Sequence, residues 1–291
     1  MRYCVTHISN YHYAEAVSTS HHALRLTPRQ LPHQTCRHAS IAIMPLPAVM
    51  TGRTDYFGNH LTFVAIQDPH KHLVVHVTSE VEVSAVPAID PARTPAWETV
   101  RDTVVAARDP DALRAFEFTF DSSHVRSSLS LAGYAAPCFS TGRPVLAAVL
   151  DLTARIHQDF IFDPRATTVA TPLERVFEQR RGVCQDFAHL QIACLRSLGL
   201  PARYVSGYLQ TVPPPNAPRL IGADVSHAWV SVFCPGVGWI DVDPTNNCLV
   251  TTNHITLAWG RDYANVSPIR GVIVGGGEHN LQVSVDVAPV G

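Results

Sequence analysis

A cysteine at the start of a predicted helix is the residue of this chain best placed to act as a nucleophile. Cys184 follows Gly182 and Val183, and the residues after it predict a helix. A thiol at a helix N-terminus faces unpaired backbone N–H groups and the positive end of the helix dipole, and both favour thiolate over thiol. We therefore predict that Cys184 is a catalytic nucleophile.

Two polar residues downstream supply the groups that such a nucleophile needs. His227 lies in one predicted strand and Asp243 in the next, with a glycine-containing turn between them. Alternation places His227 on the same face as Trp229, and Asp243 on the same face as Asp241. A hairpin would then bring His227 within a few residues of Asp243, as a base and its orienting acid require.

Each of these residues also has an ordinary structural interpretation. Buried, unreactive thiols are common, and His227 could be a hydrogen-bonded core histidine. Asp243 precedes Pro244, which is a turn signal, and Asp241 competes for the orienting role because sequence alone does not fix strand register. We favour a catalytic triad because three independent structural roles would have to place complementary groups at a helix start and on one hairpin.

Two histidines are weaker candidates for a catalytic role. His189 lies five positions after Cys184, about 500° around a helix, so direct contact is not expected. His254 is a second weaker candidate, and Asp186 is expected to interact with the helix dipole rather than to catalyse. The backbone N–H of Cys184 should donate to an oxyanion, and Gln185 is a guess for the second donor.

The composition limits the classes of partner. The chain has 291 residues, 46% of them hydrophobic, and a net charge of −2, which allows a sizeable core. This charge gives no reason to expect nucleic acid or an anionic membrane as a partner. Neither a signal peptide nor a membrane-spanning run is visible. We expect a cytoplasmic protein; its oligomeric state is not predicted.

The number and spacing of the cysteines and histidines indicate whether disulfides or a metal site are to be expected. The seven cysteines are odd in number and scattered, which argues against a disulfide framework. Sixteen histidines make a metalloprotein a rival hypothesis. His70 and His72 are a candidate pair, but their surroundings lack the ligand spacing of a structural zinc site. We expect an exposed polar turn there, with no metal site and no cofactor.

Hydrophobic periodicity predicts an α+β fold in three segments. Residues 1–90 alternate with period two and form a predicted N-terminal antiparallel β domain, with 73–83 as its clearest strand. Prolines then mark the start of a linker and helical segment over 91–140. Residues 141–291 form the predicted catalytic core with C-terminal strands.

Within the core, helices and strands surround the candidate residues. A helix is predicted from residue 145 to about 156, and another from Cys184 to Gly199 that is apolar nearly all round and therefore buried. Strands are predicted at 202–209, 225–233 and 239–243, and near the end at 271–274 and 281–287. A proline-rich loop over 211–218 is expected to border the site. The nucleophile thus begins a helix packed on an antiparallel sheet.

Short motifs surround each candidate residue and extend over most of the chain. They are Gly182–Ala188, Leu200–Tyr208, Ser226–Trp229, Asp243–Asn246, Leu24–Arg29, Phe57–Asn59, Trp259–Tyr263 and Pro268–Gly271, together with His7, Tyr11 and Tyr13. This set resembles the bacterial transglutaminase-like family, including its N-terminal region. The resemblance implies a papain-like core with a Cys-His-Asp triad at Cys184, His227 and Asp243.

The same resemblance implies acyl-transfer chemistry. Bacterial members of the family are often described as cysteine proteases, and relatives of the wider fold cross-link, deamidate or hydrolyse amides. We expect a cysteine peptidase or amidase that acts on a peptide or protein amide, because water is always present whereas an amine acceptor needs a site that excludes water. Trp229 could form an apolar wall of such a site or belong to the core. A protein-glutamine transglutaminase is the alternative, and a non-catalytic binding module is less favoured because the triad is intact.

Overall fold

The N-terminal part of the chain forms antiparallel strands, as predicted. The computed structural model describes residues 1–211 and 225–290, so the predicted proline-rich loop lies outside the described residues apart from Thr211. The strands are β1 (Arg2–Leu24), β2 (Gln34–Met44), β3 (Val49–Thr54), β4 (His60–Ile66) and β5 (His70–Val83). Buried residues alternate with more exposed ones along much of β1 and β5, because one face of the sheet packs inward.

Helices dominate the middle of the chain. In order, the elements are α1 (Trp97–Ala106), α2 (Pro110–Phe116), α3 (Leu129–Ala135), α4 (Val145–Asp159), β6 (Ile161–Phe162), α5 (Leu173–Gln179), β7 (Arg181–Gly182) and α6 (Cys184–Ser197). The apolar residues that predicted α4 are all buried on one side of it. No helix among the described residues combines the length and the apolar composition needed to cross a lipid bilayer.

The strands that carry the candidate residues follow α6. The remaining elements are β8 (Ala202–Leu209), β9 (Val225–Cys234), β10 (Gly238–Asp243), β11 (Cys248–Leu249), β12 (His254–Gly260), α7 (Tyr263–Val266), β13 (Ile269–Gly275) and β14 (His279–Val290). In the described residues, β8 to β12 form a five-stranded sheet in the order β11-β10-β9-β8-β12. The predicted strands 202–209, 225–233 and 239–243 are confirmed to within one residue at each end.

Helix α6 is buried against this sheet. It packs on β8 and β9 and on helices α3 and α4. Every residue from Phe187 to Arg196 is buried, as its nearly continuous apolar surface predicted. The positive φ of Gly199, 76°, lies just beyond its C-terminus, where glycine is favoured. The core thus fixes the axis of α6 and with it the position of Cys184 at its first turn.

The two ends of the chain share the N-terminal sheet. Strand β1 pairs with β5 and β4 along one edge, and along its other edge with β14 through residues 2–13 and with β13 through residues 17–24. The sequence predicted strands near 271–274 and 281–287 but grouped them with the core. Alternation reveals a strand and its buried face, but it does not identify the edge with which that strand pairs.

Gly207 in β8 allows the close packing of three strands. A Cβ at this position would lie 2.1 Å from the carbonyl oxygen of Ile255 in β12 and 2.4 Å from the indole ring of Trp229 in β9. The first contact is with backbone, which cannot rotate away. A glycine is therefore required here by the approach of the neighbouring strand.

We expect Gly207→Ala to lower the free energy of unfolding by about 1–3 kcal/mol, because overpacking a filled core forces neighbours to shift. Gly133→Ala is the matched control: Gly133 is exposed in α3, and no atom lies within 4 Å of its added Cβ. That change should be neutral or stabilise by up to ~1 kcal/mol through helix propensity. Equal destabilisation of both variants in urea titrations would contradict the packing argument.

Candidate active site

Cys184 begins α6, and a buried carboxylate organises the turn before it. The Oδ2 atom of Asp186 accepts hydrogen bonds from the backbone N–H of Val183, at 2.8 Å, and from the hydroxyl of Thr167, at 2.6 Å. Burial raises the pKa of Asp186, although both hydrogen bonds act in the opposite direction. A Cβ on Gly182 would lie 2.6 Å from Asp186 Oδ2, so this position needs glycine. Asp186 thus caps the helix, in agreement with the helix-terminal role predicted for it.

His227 lies between Cys184 and Asp243. It is buried in β9, and its Nε2 is 2.7 Å from Oδ2 of Asp243. Cys184 lines the same pocket and interacts electrostatically with the His227 side chain. Burial by itself would lower the pKa of His227, but the interactions with Asp243 and Cys184 outweigh burial and raise the pKa to about 10. The site therefore favours the protonated imidazolium.

Asp243 is completely buried at the end of β10 and is bonded through both carboxylate oxygens. Besides His227, Oδ2 accepts from the Asn246 side chain at 2.7 Å. Oδ1 accepts from the backbone N–H groups of Thr245, at 2.9 Å, and Asn246, at 3.2 Å. Burial would raise the pKa of Asp243, but the hydrogen bonds from His227, His254 and the Asn246 side chain hold it well below its usual range. Asp243 is therefore ionised and fixed in orientation.

A second histidine, His254, also contacts Asp243. Its Nε2 lies 3.2 Å from Asp243 Oδ2, and its Nδ1 accepts a hydrogen bond from the backbone N–H of Thr251 at 3.3 Å. Because Nδ1 acts as acceptor, the proton of the neutral ring lies on Nε2 and is donated to Asp243. His254 was only a weaker candidate in the sequence analysis, since no local pattern relates the first residue of β12 to the last residue of β10.

The competing acid, Asp241, has another partner. Its Oδ2 accepts from the indole N–H of Trp229 at 3.1 Å. Trp229 is completely buried, with its ring packed beneath Gly207, so it belongs to the core. The pairing of Asp241 with Ser231 and Val242 with Val230 sets this register. The structure therefore brings Asp243, and not Asp241, to His227.

His189, the other weaker candidate, is buried within α6. Its Nε2 accepts the backbone N–H of Tyr263 at 3.2 Å, and its ring stacks on that of His124 with centroids 5.4 Å apart. Burial lowers the pKa of His189 to about 3. It is therefore a neutral side chain that helps to attach α7 to α6, and its Nε2 is bonded to the backbone of Tyr263.

The remaining cysteines differ from Cys184 in their surroundings. All seven are free thiols, as their scattered positions predicted. Burial raises the pKa of Cys194 to about 12 and that of Cys248 to about 11. Cys184 is partly exposed and has a histidine partner. This difference in environment favours Cys184 as the reactive thiol.

A pocket of about 430 Å³ opens on Cys184 and His227. Gln185, the neighbour of the nucleophile, lines it, and so does Tyr204 of β8. Burial, followed by the proximity of Cys184, raises the pKa of Tyr204 well above its usual value, so its phenol stays protonated. Other walls come from the N-terminal sheet, through His7, Ser9, Tyr11, Leu281, Val283 and Val285. The candidate site thus lies between the two sheets.

Three of the buried residues could also converge on a metal ion. The ligand atoms of His227, Asp243 and His254 lie within 4.8 Å of one another. However, His227 Nε2 is 2.7 Å from Asp243 Oδ2, whereas ligands of a tetrahedral zinc ion are roughly 3.3 Å apart, given metal–ligand bonds near 2 Å. The observed separation is that of a hydrogen bond.

The prediction of an exposed turn around His70 and His72 is wrong. Both residues lie in β5, and His70 is buried, with its Nδ1 2.8 Å from the carbonyl oxygen of Asp68. His72 Nδ1 lies 2.8 Å from Nδ1 of His12 on the adjacent strand β1. Pairing with the long strand β1 extends β5 back to His70, which a local turn signal could not reveal.

Two family models match this chain. Residues 3–82 match the bacterial transglutaminase-like N-terminal region, and residues 132–244 match the transglutaminase-like superfamily. The first covers most of the N-terminal sheet, and the second contains Cys184, His227 and Asp243. The resemblance seen in the sequence motifs is confirmed.

Similar proteins extend the match to nearly the whole chain. An uncharacterized protein from Mycobacterium tuberculosis is 41% identical over 99% of this chain and 93% of its own length. A crystal structure described as a proposed cysteine protease from Cytophaga hutchinsonii has a TM-score of 0.73 and 21% identity, and the match covers 100% of this chain and 93% of that one. A protein-glutamine gamma-glutamyltransferase from Pseudomonas aeruginosa is 34% identical over 32% of this chain and 15% of its own length. The structural match supports the α+β, papain-like fold.

Proposed function

This chain belongs to the transglutaminase-like superfamily, and we propose that it is a thiol-dependent amide hydrolase. The observation that carries the proposal is the position of His227, which is held by the buried Asp243 and shares a pocket and an electrostatic interaction with the Cys184 thiol. This is the arrangement of nucleophile, base and orienting acid that acyl transfer from an amide requires.

In the proposed reaction, the Cys184 thiolate adds to the amide carbonyl carbon. The C–N bond then breaks as the His227 imidazolium donates its proton to the leaving amine, and a thioester remains on Cys184. Neutral His227 next removes a proton from water, which attacks the thioester. The carboxylic acid departs, and the thiolate and imidazolium are restored. Asp243 keeps His227 oriented throughout and stabilises its charge.

The tetrahedral intermediate carries a negative oxygen that needs hydrogen-bond donors. The backbone N–H of Cys184, at the start of α6, is the first proposed donor. Two side chains lining the pocket, the Gln185 amide and the Tyr204 hydroxyl, are the candidates for the second. Tyr204 is favoured because it is buried beside Cys184 and keeps its proton.

A second candidate function is glutamine transglutamination, with an amine in place of water. It is favoured by the local match to the gamma-glutamyltransferase from Pseudomonas aeruginosa. Hydrolysis remains the primary proposal, because aminolysis requires bulk water to be kept from the thioester and the Cys184 side chain is partly exposed.

Incubation with a glutamine-containing peptide library and an isotopically labelled primary amine should distinguish the two reactions. We expect mass spectrometry to detect chain cleavage or glutamine deamidation, with little amine incorporated. Cys184→Ala protein under the same conditions is the control for contaminating activity. Predominant incorporation of the amine would instead establish the transglutaminase, and no product that depends on Cys184 would contradict both proposals.

We also expect the activity to survive removal of metal ions, because His227, Asp243 and His254 are joined by hydrogen bonds. Protein dialysed against EDTA should keep its turnover rate and its melting temperature, whereas alkylation of thiols should abolish turnover. A loss of turnover in EDTA that stoichiometric zinc reverses would favour a metal centre at these three residues.

A further inference from the structure

The pocket above Cys184 has one wall built by the N-terminal sheet. Leu281, Val283 and Val285 alternate along β14 and therefore share one face of the strand. Val285 is buried, whereas Leu281 and Val283 are 44% and 50% exposed. Tyr11, which pairs with Leu281 across the β1–β14 ladder, lines the same pocket. An apolar strip thus runs from the core to the candidate nucleophile.

This pocket differs in charge from the cavity next to it. No Lys, Arg, Asp or Glu belongs to the part of the lining that the structure describes. Burial lowers the pKa of His7 to about 4 and raises that of Tyr11 to about 12, so both are neutral near pH 7. By contrast, the neighbouring cavity of about 390 Å³ is lined by Arg126 and Glu174, among others. Apart from the Cys184–His227 pair, the described lining thus carries no charge. A charged group set against the residues of β1 and β14 would lose hydration without gaining an ionic partner there.

We propose that the β1–β14 wall binds an uncharged aliphatic or aromatic side chain next to the amide that Cys184 attacks. The substrates are then peptides with an apolar residue at that position. The volume of 430 Å³ equals that of about 14 water molecules in the liquid, which suffices for one amide and one large side chain. This inference rests on the proposed function, because it takes Cys184 as the attacking atom.

Chloroacetamides with different N-substituents test the wall without a known substrate. Cys184 Sγ displaces chloride and forms a thioether, so the rate reports access of each substituent to the pocket. The probes are N-benzyl, N-carboxymethyl and N-(2-trimethylammonioethyl) chloroacetamide, each rate being divided by its rate with glutathione. Burial of the benzyl group should make its normalised rate about tenfold higher than that of either charged probe.

Two variants and a control locate the binding surface. Leu281→Asp and Val283→Asp place a charge on the wall at partly exposed positions, and each should remove most of the benzyl preference. Val272→Asp, at a 72% exposed position of β13 in the same sheet, should keep that preference. Melting temperatures show whether each variant is folded. A preference that survives both β14 changes would overturn the assignment to this wall.

Labelling with unsubstituted iodoacetamide shows whether a negative result contradicts only the apolar subsite or the proposed function as well. If peptide mapping shows that iodoacetamide modifies Cys184 first, but the three chloroacetamides react at equal normalised rates, the apolar subsite is wrong and the acyl-transfer proposal stands. If Cys184 reacts no faster than the partly exposed Cys4 and Cys36, both proposals fail.

Discussion

Alanine in place of Cys184 is expected to lower the rate of amide hydrolysis on the order of 10⁶-fold, the loss seen when a triad loses its nucleophile. No other group in the proposed reaction forms the thioester, so the remaining His227 and Asp243 have no covalent intermediate to process. The measurement is kcat on a peptide identified in the library experiment.

Cys248→Ala is the matched control for this change. Cys248 is also partly buried and pairs with Asp243 across β10 and β11, yet it has no histidine partner in the proposed mechanism. This variant should keep kcat within a few-fold of the original protein.

Retention of activity in the Cys184→Ala variant would exclude a covalent mechanism at Cys184. Preferential labelling of Cys194 or Cys248 by brief iodoacetamide treatment would point to a different nucleophile.

Changing Asp243 to asparagine is expected to lower kcat on the order of 10⁴-fold, as found when the triad acid of a serine protease is replaced. Asp243 accepts from His227 Nε2, so it fixes the ring and stabilises the imidazolium. An asparagine amide can present its NH₂ group to Nε2 and hold the ring in the wrong tautomer. The effect should fall mainly on kcat, because Asp243 does not contact substrate in the proposed mechanism.

Asp241→Asn provides the comparison, since it changes the same type of side chain two residues away. The asparagine oxygen can still accept the hydrogen bond from Trp229, so kcat should change by less than about tenfold. Thermal melts of both variants show whether folding is preserved, which matters because Asp243 is completely buried. The reverse order of effects would transfer the orienting role to Asp241, and two small effects would mean that neither acid orients His227.

The position of the candidate nucleophile could be predicted because its determinants are local. Gly182, the helical run after Cys184 and the stop at Gly199 together define α6, and the observed helix begins at Cys184. The strands that carry His227 and Asp243 could likewise be predicted, because a half-buried strand shows its period within a few residues. The motifs around these residues also indicated the family.

The sequence only partly determined which residues of β9 and β10 lie opposite each other. Alternation placed Asp241 and Asp243 on one face of β10, and either could have met His227. The tertiary structure distinguishes them: Trp229 Nε1 bonds Asp241, and His227 Nε2 bonds Asp243. The difference arises at the end of the strand, where Thr245 and Asn246 turn back and donate their backbone N–H groups to Asp243.

Contacts between distant segments were decided by the tertiary structure alone. His254 reaches Asp243 from the start of β12, although β12 pairs with β8 at the opposite end of the sheet from β10. Strand β14 reaches the pocket because it pairs with β1, more than 250 residues earlier in the chain. The sequence by itself therefore determined which residues begin the helix and occupy the strands, since these depend on local periodicity and end signals. The contact of His254 with Asp243 and the apolar wall depend on how complete sheets pack together, and no local pattern encodes that packing.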